Sequence, residues 1–183
     1  GKLHQIRYIM PPSRHFVSCL RKLLKHNQGG SSDILPAKCA DLHLWKSILF
    51  KATKGTSINN VLFQRPTIIF WTDASKHVIV GYTNQGLAWR WRIPDWMLGR
   101  FTLNCLDFLT SQIMTELSLI GASPEECILC LSNSSSTVGW LYKSSFYNNT
   151  HNDHVRIARR LARHVLEAKA YLYSQHIPGQ LNT

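Results

Sequence analysis

The sequence predicts an α/β domain, a mixed five-stranded sheet flanked by helices, behind an N-terminal helical annex. Three observations predict it. Three strand-like runs follow one another through residues 67–93 with short turns between them. Two later strand-like runs, Cys127–Leu131 and Tyr171–His176, are each reached through helical stretches. Residues 1–66 carry helical periodicity broken by a Gly-Gly-Ser-Ser segment.

The annex comes first. Pro11-Pro12-Ser13 opens a helix whose apolar stripe is Phe16, Leu20, Leu23 and Leu24, with Arg14, Arg21, Lys22 and Lys25 outside it. A second helix is expected from about Ala37 to Lys54, with Leu42, Trp45, Leu49 and Ala52 inward and Gly55 as its stop. Residues 57–65 connect it to the sheet, so the boundary between annex (1–66) and sheet domain (67–183) falls at Thr67.

Thr67–Thr72, His77–Thr83 and Leu87–Ile93 form an antiparallel meander, because their connections are too short for a crossover. Trp89 and Trp91 alternate with Arg90 and Arg92, giving that strand one aromatic and one basic face. A helix follows from about Thr102 to Gly121, with Leu103, Leu106, Thr110, Ile113 and Leu117 as its buried stripe and Asp107 on or beside it. Ser132–Ser136 caps a helix running through Val138, Trp140 and Leu141. A last helix spans about Asn152–Ala170, Val155, Ala158, Leu161, Ala162 and Val165 inward and Arg156, Arg159, Arg160 and Arg163 outward.

Composition narrows the function classes. The 183 residues are 44% hydrophobic, enough for a sizeable core. No apolar run approaches the roughly 18 residues of a membrane helix. The opening Gly1-Lys2-Leu3-His4 lacks an initiator Met and a signal core, so a fragment or processed product is expected. Lysine and arginine outnumber acids 21 to 10, a formal charge of +11, which favours a polyanionic partner, most naturally nucleic acid, and no membrane. Five scattered cysteines fit buried thiols in a reducing, intracellular compartment, with cytoplasm, nucleus and organelle left open. Cys127 and Cys130 should face opposite sides of their strand, so they read as core rather than as zinc ligands. His151-x-x-His154 reads as a solvated helix start, and His176 as a packed histidine.

The wording of five segments is more specific. WTDAS (71–75), GYTNQGLAWRWRIP (81–94), LNCLDFLTSQI (103–113), CLSNSSSTVGWLYKSSF (130–146) and HVRIARRLARHVLEAKAYLYSQHIPGQLN (154–182) together resemble the ribonuclease H segment of retroelement reverse transcriptase polyproteins. Residues 1–66, with Ser13-Arg14-His15-Phe16, resemble part of the connection that precedes it. The resemblance implies four carboxylates holding two magnesium ions about 3.5–4 Å apart. Asp73 stands at the family's first aspartate. Asp107 stands where the family has glutamate, one methylene shorter and so lacking roughly 1.5 Å of reach. Asn133 stands at the third aspartate, where an amide brings no charge and also suits a helix N-cap. The fourth would lie just beyond Asn182-Thr183. Glu116 lies nine residues past Asp107, about 13 Å along the helix, and is a poor substitute.

The expected catalytic and metal residues are therefore a remnant pair, Asp73 and Asp107, with magnesium as cofactor only if the site is active. The expected nucleic-acid-binding residues are Arg156, Arg159, Arg160 and Arg163, with Arg90 and Arg92. What the resemblance and charge imply is a catalytically degenerate ribonuclease H-like domain. It would serve as a basic nucleic-acid-binding or scaffold module, of the kind found as a subunit of a ribonucleoprotein such as an organellar ribosome. An active metal-dependent ribonuclease H cleaving RNA in RNA–DNA hybrids and a protein–protein adaptor are the competing readings.

Overall fold

The computed structural model describes residues 5–6, 8, 10–14, 16–17, 36–55, 62–141 and 153–182. The chain divides into two compact units, Gly1–Phe63 with Tyr142–Tyr147, and Gln64–Leu141 with Asn148–Thr183.

In the first unit, a 3-10 turn at Pro11–Ser13 has proline in its first positions, where a missing N–H costs nothing. Helix α1, Pro36–Thr53, buries Asp41, Trp45 and Ile48. The Trp45 indole donates to the Phe16 carbonyl at 3.3 Å, and Phe16 is itself buried. The inward stripe differs from the expected one. Leu42 and Leu49 are exposed, because the buried face is centred one residue earlier, on Asp41, Trp45 and Ile48. The expected Leu20, Leu23 and Leu24 stripe lies outside the described residues.

The second unit holds the mixed five-stranded sheet: β1 Ile68–Ala74, β2 Val78–Thr83, β3 Ala88–Arg92, β4 Cys127–Ser132 and β5 Tyr171–His176, in spatial order β3-β2-β1-β4-β5. The first three strands are antiparallel neighbours, and β4 joins β1 in parallel, as β5 joins β4. Local chemistry sets both hairpins. The Ser75 hydroxyl accepts from the N–H groups of His77 and Val78, closing the β1–β2 turn. The Thr83 hydroxyl accepts from Gln85 and Leu87, closing the β2–β3 turn around Gly86 at φ +89°.

Parallel pairing of β1 with β4 requires a crossover, and helix α2, Leu103–Leu119, supplies it. Thr102 caps α2 by accepting from the Cys105 N–H. Beyond lie α3, Ser135–Leu141, and α4, Asp153–Ala168, which packs on α2.

Helix α2 is more deeply buried than one apolar stripe requires. Cys105 through Phe108, Thr110 through Gln112, Met114, Thr115 and Ser118 are all buried, whereas Leu103 is 47% exposed. Leu103 sits in the first turn, before the helix runs onto the sheet. Toward β1, small hydroxyl residues replace large apolar ones: Ser111 lies 3.2 Å from the Thr72 hydroxyl. Thr110 and Thr115 satisfy their own hydroxyls on the carbonyls four residues back, at 2.7 and 2.8 Å. Toward β2, Gly81 leaves room for Met114, whose thioether also meets the Trp89 indole.

The Gly81 contact yields a direct test. A Cβ built there would lie 2.5 Å from Met114 Cγ and 2.6 Å from its Sδ. Met114 is fully buried and has nowhere open to go. Gly81→Ala should therefore lower stability by about 1–3 kcal/mol through overpacking, measured by chemical denaturation. A companion Gly139→Ala, whose Cβ meets nothing within 4 Å, should show no such penalty.

Candidate functional site

Two clusters of charged side chains stand out, one of acids at the C-terminal end of β1 and in the second turn of α2 and one of arginines along α4.

Asp73 occupies the penultimate position of β1, where the strand leaves the core, and its side chain is exposed rather than buried. The buried acid is Asp107, in the second turn of α2. Burial raises the Asp107 carboxyl, and the nearby charge of Asp73 raises it further. Hydrogen bonds from the Ser134 hydroxyl and the Ala74 N–H pull it back only partly, leaving it at about 6. Asn133 follows directly on β4, half-buried, with its backbone carbonyl 3.1 Å from the His176 ring nitrogen. The Ser132 hydroxyl accepts from the Ser134 N–H at 3.1 Å, holding this turn under Asp107. Asn182 reaches back to donate to the Thr72 carbonyl at 3.0 Å, bringing the C-terminal segment to the same end of the sheet. His176 is exposed, against the packed position expected of it, because it ends an edge strand.

The resemblance implies two magnesium ions here, and the donors present do not fit them. Asp107 is short, and its carboxylate already accepts from Ser134 and Ala74. The Asn133 amide brings no charge to offset a second divalent ion. Among the described residues, no group of three or more histidine, cysteine or acidic side chains could hold a metal. What the pair does in this chain is electrostatic: the charge of Asp73 works with burial against the charged form of Asp107.

The arginines lie on the far side of α2. Arg156, Arg160 and Arg163 are exposed and Arg159 is half-buried. Together with Arg100 and Trp96 they line a groove of about 850 Å³ between α4, α2 and the loop after β3. They are not equivalent. Arg160 makes two hydrogen bonds to Glu116 on α2, at 2.7 and 2.8 Å, in the fork geometry that suits guanidinium. Partial burial pushes the Glu116 carboxyl up, but Arg160 and His164 outweigh it and hold it below its ordinary value. Arg100 is bonded to Asp153 at 3.3 Å. Among the described residues, no carboxylate bridges Arg156 or Arg163.

Arg90 and Arg92 do not join this groove. Trp89, paired with Gly81, faces α2, so the pleat turns Arg90 and Arg92 to the opposite face of the sheet, where both are exposed. His154 stacks edge-on to Trp140, centroids 4.4 Å apart, while His151 lies outside the described residues. Sequence reasoning missed Ser134, Glu116 as an arginine partner, and Arg100 and Trp96 in the groove. An exposed-looking tryptophan in a Pro-Asp-Trp turn was the available signal for the last of these.

No family model and no curated protein matches this sequence. Solved structures do. The structure of LC11 ribonuclease H1 in complex with an RNA/DNA hybrid matches with a TM-score of 0.52 at 16% identity, covering 64% of this chain and 89% of that one. The likeness establishes a ribonuclease H-like fold.

Asp107 gives the site a pH signature. Its folded value, about 6, lies above the ordinary 3.8, so the folded state holds the proton more tightly. The associated stability is fully present below pH 3.8 and is lost as pH rises through about 6. Asp107→Asn should remove that dependence and raise stability at pH 7.5 by on the order of 1–3 kcal/mol, with little gain at pH 4. Urea midpoints of both proteins across this range would decide it. A variant less stable than the parent at every pH would show that the carboxylate's hydrogen bonds outweigh its desolvation.

Proposed function

We propose that this chain is a retroelement-derived, intracellular nucleic-acid-binding module on a ribonuclease H-like fold that has given up two-metal cleavage. Its role is to hold nucleic acid or to serve as a scaffold within a ribonucleoprotein, an organellar ribosome being one such setting. The single observation that carries the reading is the pairing of a weakened acidic site with an arginine-lined groove. The acid end offers Asp73, a short Asp107 and a neutral Asn133. The shorter Asp107 loses reach and Asn133 loses a negative charge, and magnesium binding depends on both.

The groove supplies what binding needs. Arg156 and Arg163 are exposed within reach of a phosphate chain, and guanidinium forks match phosphate oxygens two at a time. Like charges three and four residues apart on a helix repel, so an unoccupied α4 carries a cost that a polyanion removes. The net charge of +11 adds long-range attraction.

One observation favours the competing reading, an active ribonuclease H. Asp73 and Asp107 interact across the top of the sheet, as two ligands of one cation would. That reading needs Asn133 to serve in place of an acid.

Binding to a labelled RNA–DNA hybrid across a salt series tests the proposal. Affinity should fall steeply with salt, by about 0.9 log unit per phosphate contact for each log unit of salt. Arg156→Glu with Arg163→Glu should weaken binding and flatten the slope by about two contacts. An unchanged slope in the double variant would remove α4 from the interface, and a flat slope in the parent would remove nucleic acid from the account.

A further inference from the structure

The groove contains one group that phosphate recognition does not explain. Trp96 is 67% exposed, the most exposed phenylalanine, tyrosine or tryptophan among the described residues. It sits in the 3-10 turn Asp95–Met97, on the rim of the arginine groove. The turn is not loosely held. Met97, the next residue, is 4% exposed, and Ile93 before it is 2% exposed, both packed with Ile79 and Leu106 in one core cluster. The Met97 N–H donates to the Pro94 carbonyl at 2.9 Å. The backbone on either side of Trp96 is thus anchored, and the indole is presented outward from a fixed base.

No described residue uses that ring. Among the described residues neither an aromatic side chain nor a cation stacks on Trp96. A solvent-facing indole on a rigid base, set beside a row of arginines, has the makeup of a recognition surface. Its surroundings identify the partner. Arg100, Arg156, Arg159 and Arg163 share the groove with it, and Asp153, the acid lining the groove, is already bonded to Arg100. The site therefore asks for repeated negative charge together with a flat, weakly polar face.

We propose that Trp96 is a stacking platform for an unpaired base, and that the groove recognises single-stranded nucleic acid in preference to duplex. This rests on the reading of the groove as a nucleic-acid interface. A duplex offers its phosphates to the arginines, but its bases are stacked inside and leave the indole unsatisfied. A single strand offers both at once, the backbone tracking the basic groove and a base lying on the ring. Stacking of this kind tolerates any base, so the preference is for strandedness rather than for sequence. A protein partner anchored on Trp96 is the alternative that the test must separate.

Fluorescence anisotropy with three labelled probes makes the separation: a 12-nucleotide oligouridine, a 12-residue abasic phosphate backbone, and a 12-base-pair RNA–DNA hybrid. Trp96→Ala should weaken oligouridine binding about tenfold and leave the abasic chain and the hybrid within twofold of the parent. The parent should bind the abasic chain about as weakly as Trp96→Ala binds oligouridine. Trp96→Phe should retain most of the affinity. Because the ring is exposed, the melting temperature should not move, and it is measured alongside. Oligouridine affinity unchanged by Trp96→Ala, or all three probes weakened equally, overturns the stacking role. If the parent binds the hybrid in either case, the basic-groove reading stands without it. If the parent binds no probe, both fall.

Discussion

Helix α2 can lie as close to the sheet as it does because the residues between them are small. Gly81 makes room for Met114, and Ser111 meets Thr72 hydroxyl to hydroxyl. Everything functional in the second unit depends on that approach. It seats Asp107 beside Asp73 at one end of the helix. It also carries Glu116, nine residues on, to the opposite side, where it meets Arg160 and His164 of α4. One buried helix thus holds an acidic cluster and positions a basic groove, and the close contact fixes the register of both.

The two ends have opposite electrostatic characters. At the acidic end, burial and a neighbouring carboxylate both work against the charged form of Asp107, and two hydrogen bonds compensate only in part. A bound divalent cation would relieve that crowding, but the third position is an amide and the second is short of reach. At the basic end, one arginine is neutralised by Glu116 and another by Asp153, so positive charge is left concentrated on Arg156 and Arg163. The arginine of each pair is exposed, 64% for Arg160 and 41% for Arg100, so these pairs contribute little to folding. Their consequence is to choose which guanidinium groups face a partner.

The sheet was legible in the sequence because alternation, turn residues and short connections all pointed the same way. The five strands fall within two residues of their expected ends, and Cys127 and Cys130 do take opposite faces through the pleat. Burial within helices was less legible. Leu42 and Leu49 match Trp45 in periodicity, yet only the packing of α1 could show that Asp41 and Ile48 are the buried neighbours. At the site, the charge of Asp73 reaches Asp107, but which of them is buried depends on how far α2 runs across the sheet. The Arg160–Glu116 pair joins residues 44 apart, and the groove is assembled from a loop and two helices. No local pattern carries either. Trp96 is barely legible in the sequence because exposure, not identity, gives it meaning.

The central claim is that a ribonuclease H-like fold here carries binding without cleavage. Incubation of a labelled RNA–DNA hybrid with the protein in magnesium, and separately in manganese, with Asp73→Asn as control, tests it most directly. The account predicts intact RNA in both metals while the hybrid is bound by the parent and by Asp73→Asn alike. Cleavage that Asp73→Asn abolishes would contradict it, and would mean that Asn133 is a working ligand of a metal site still in use.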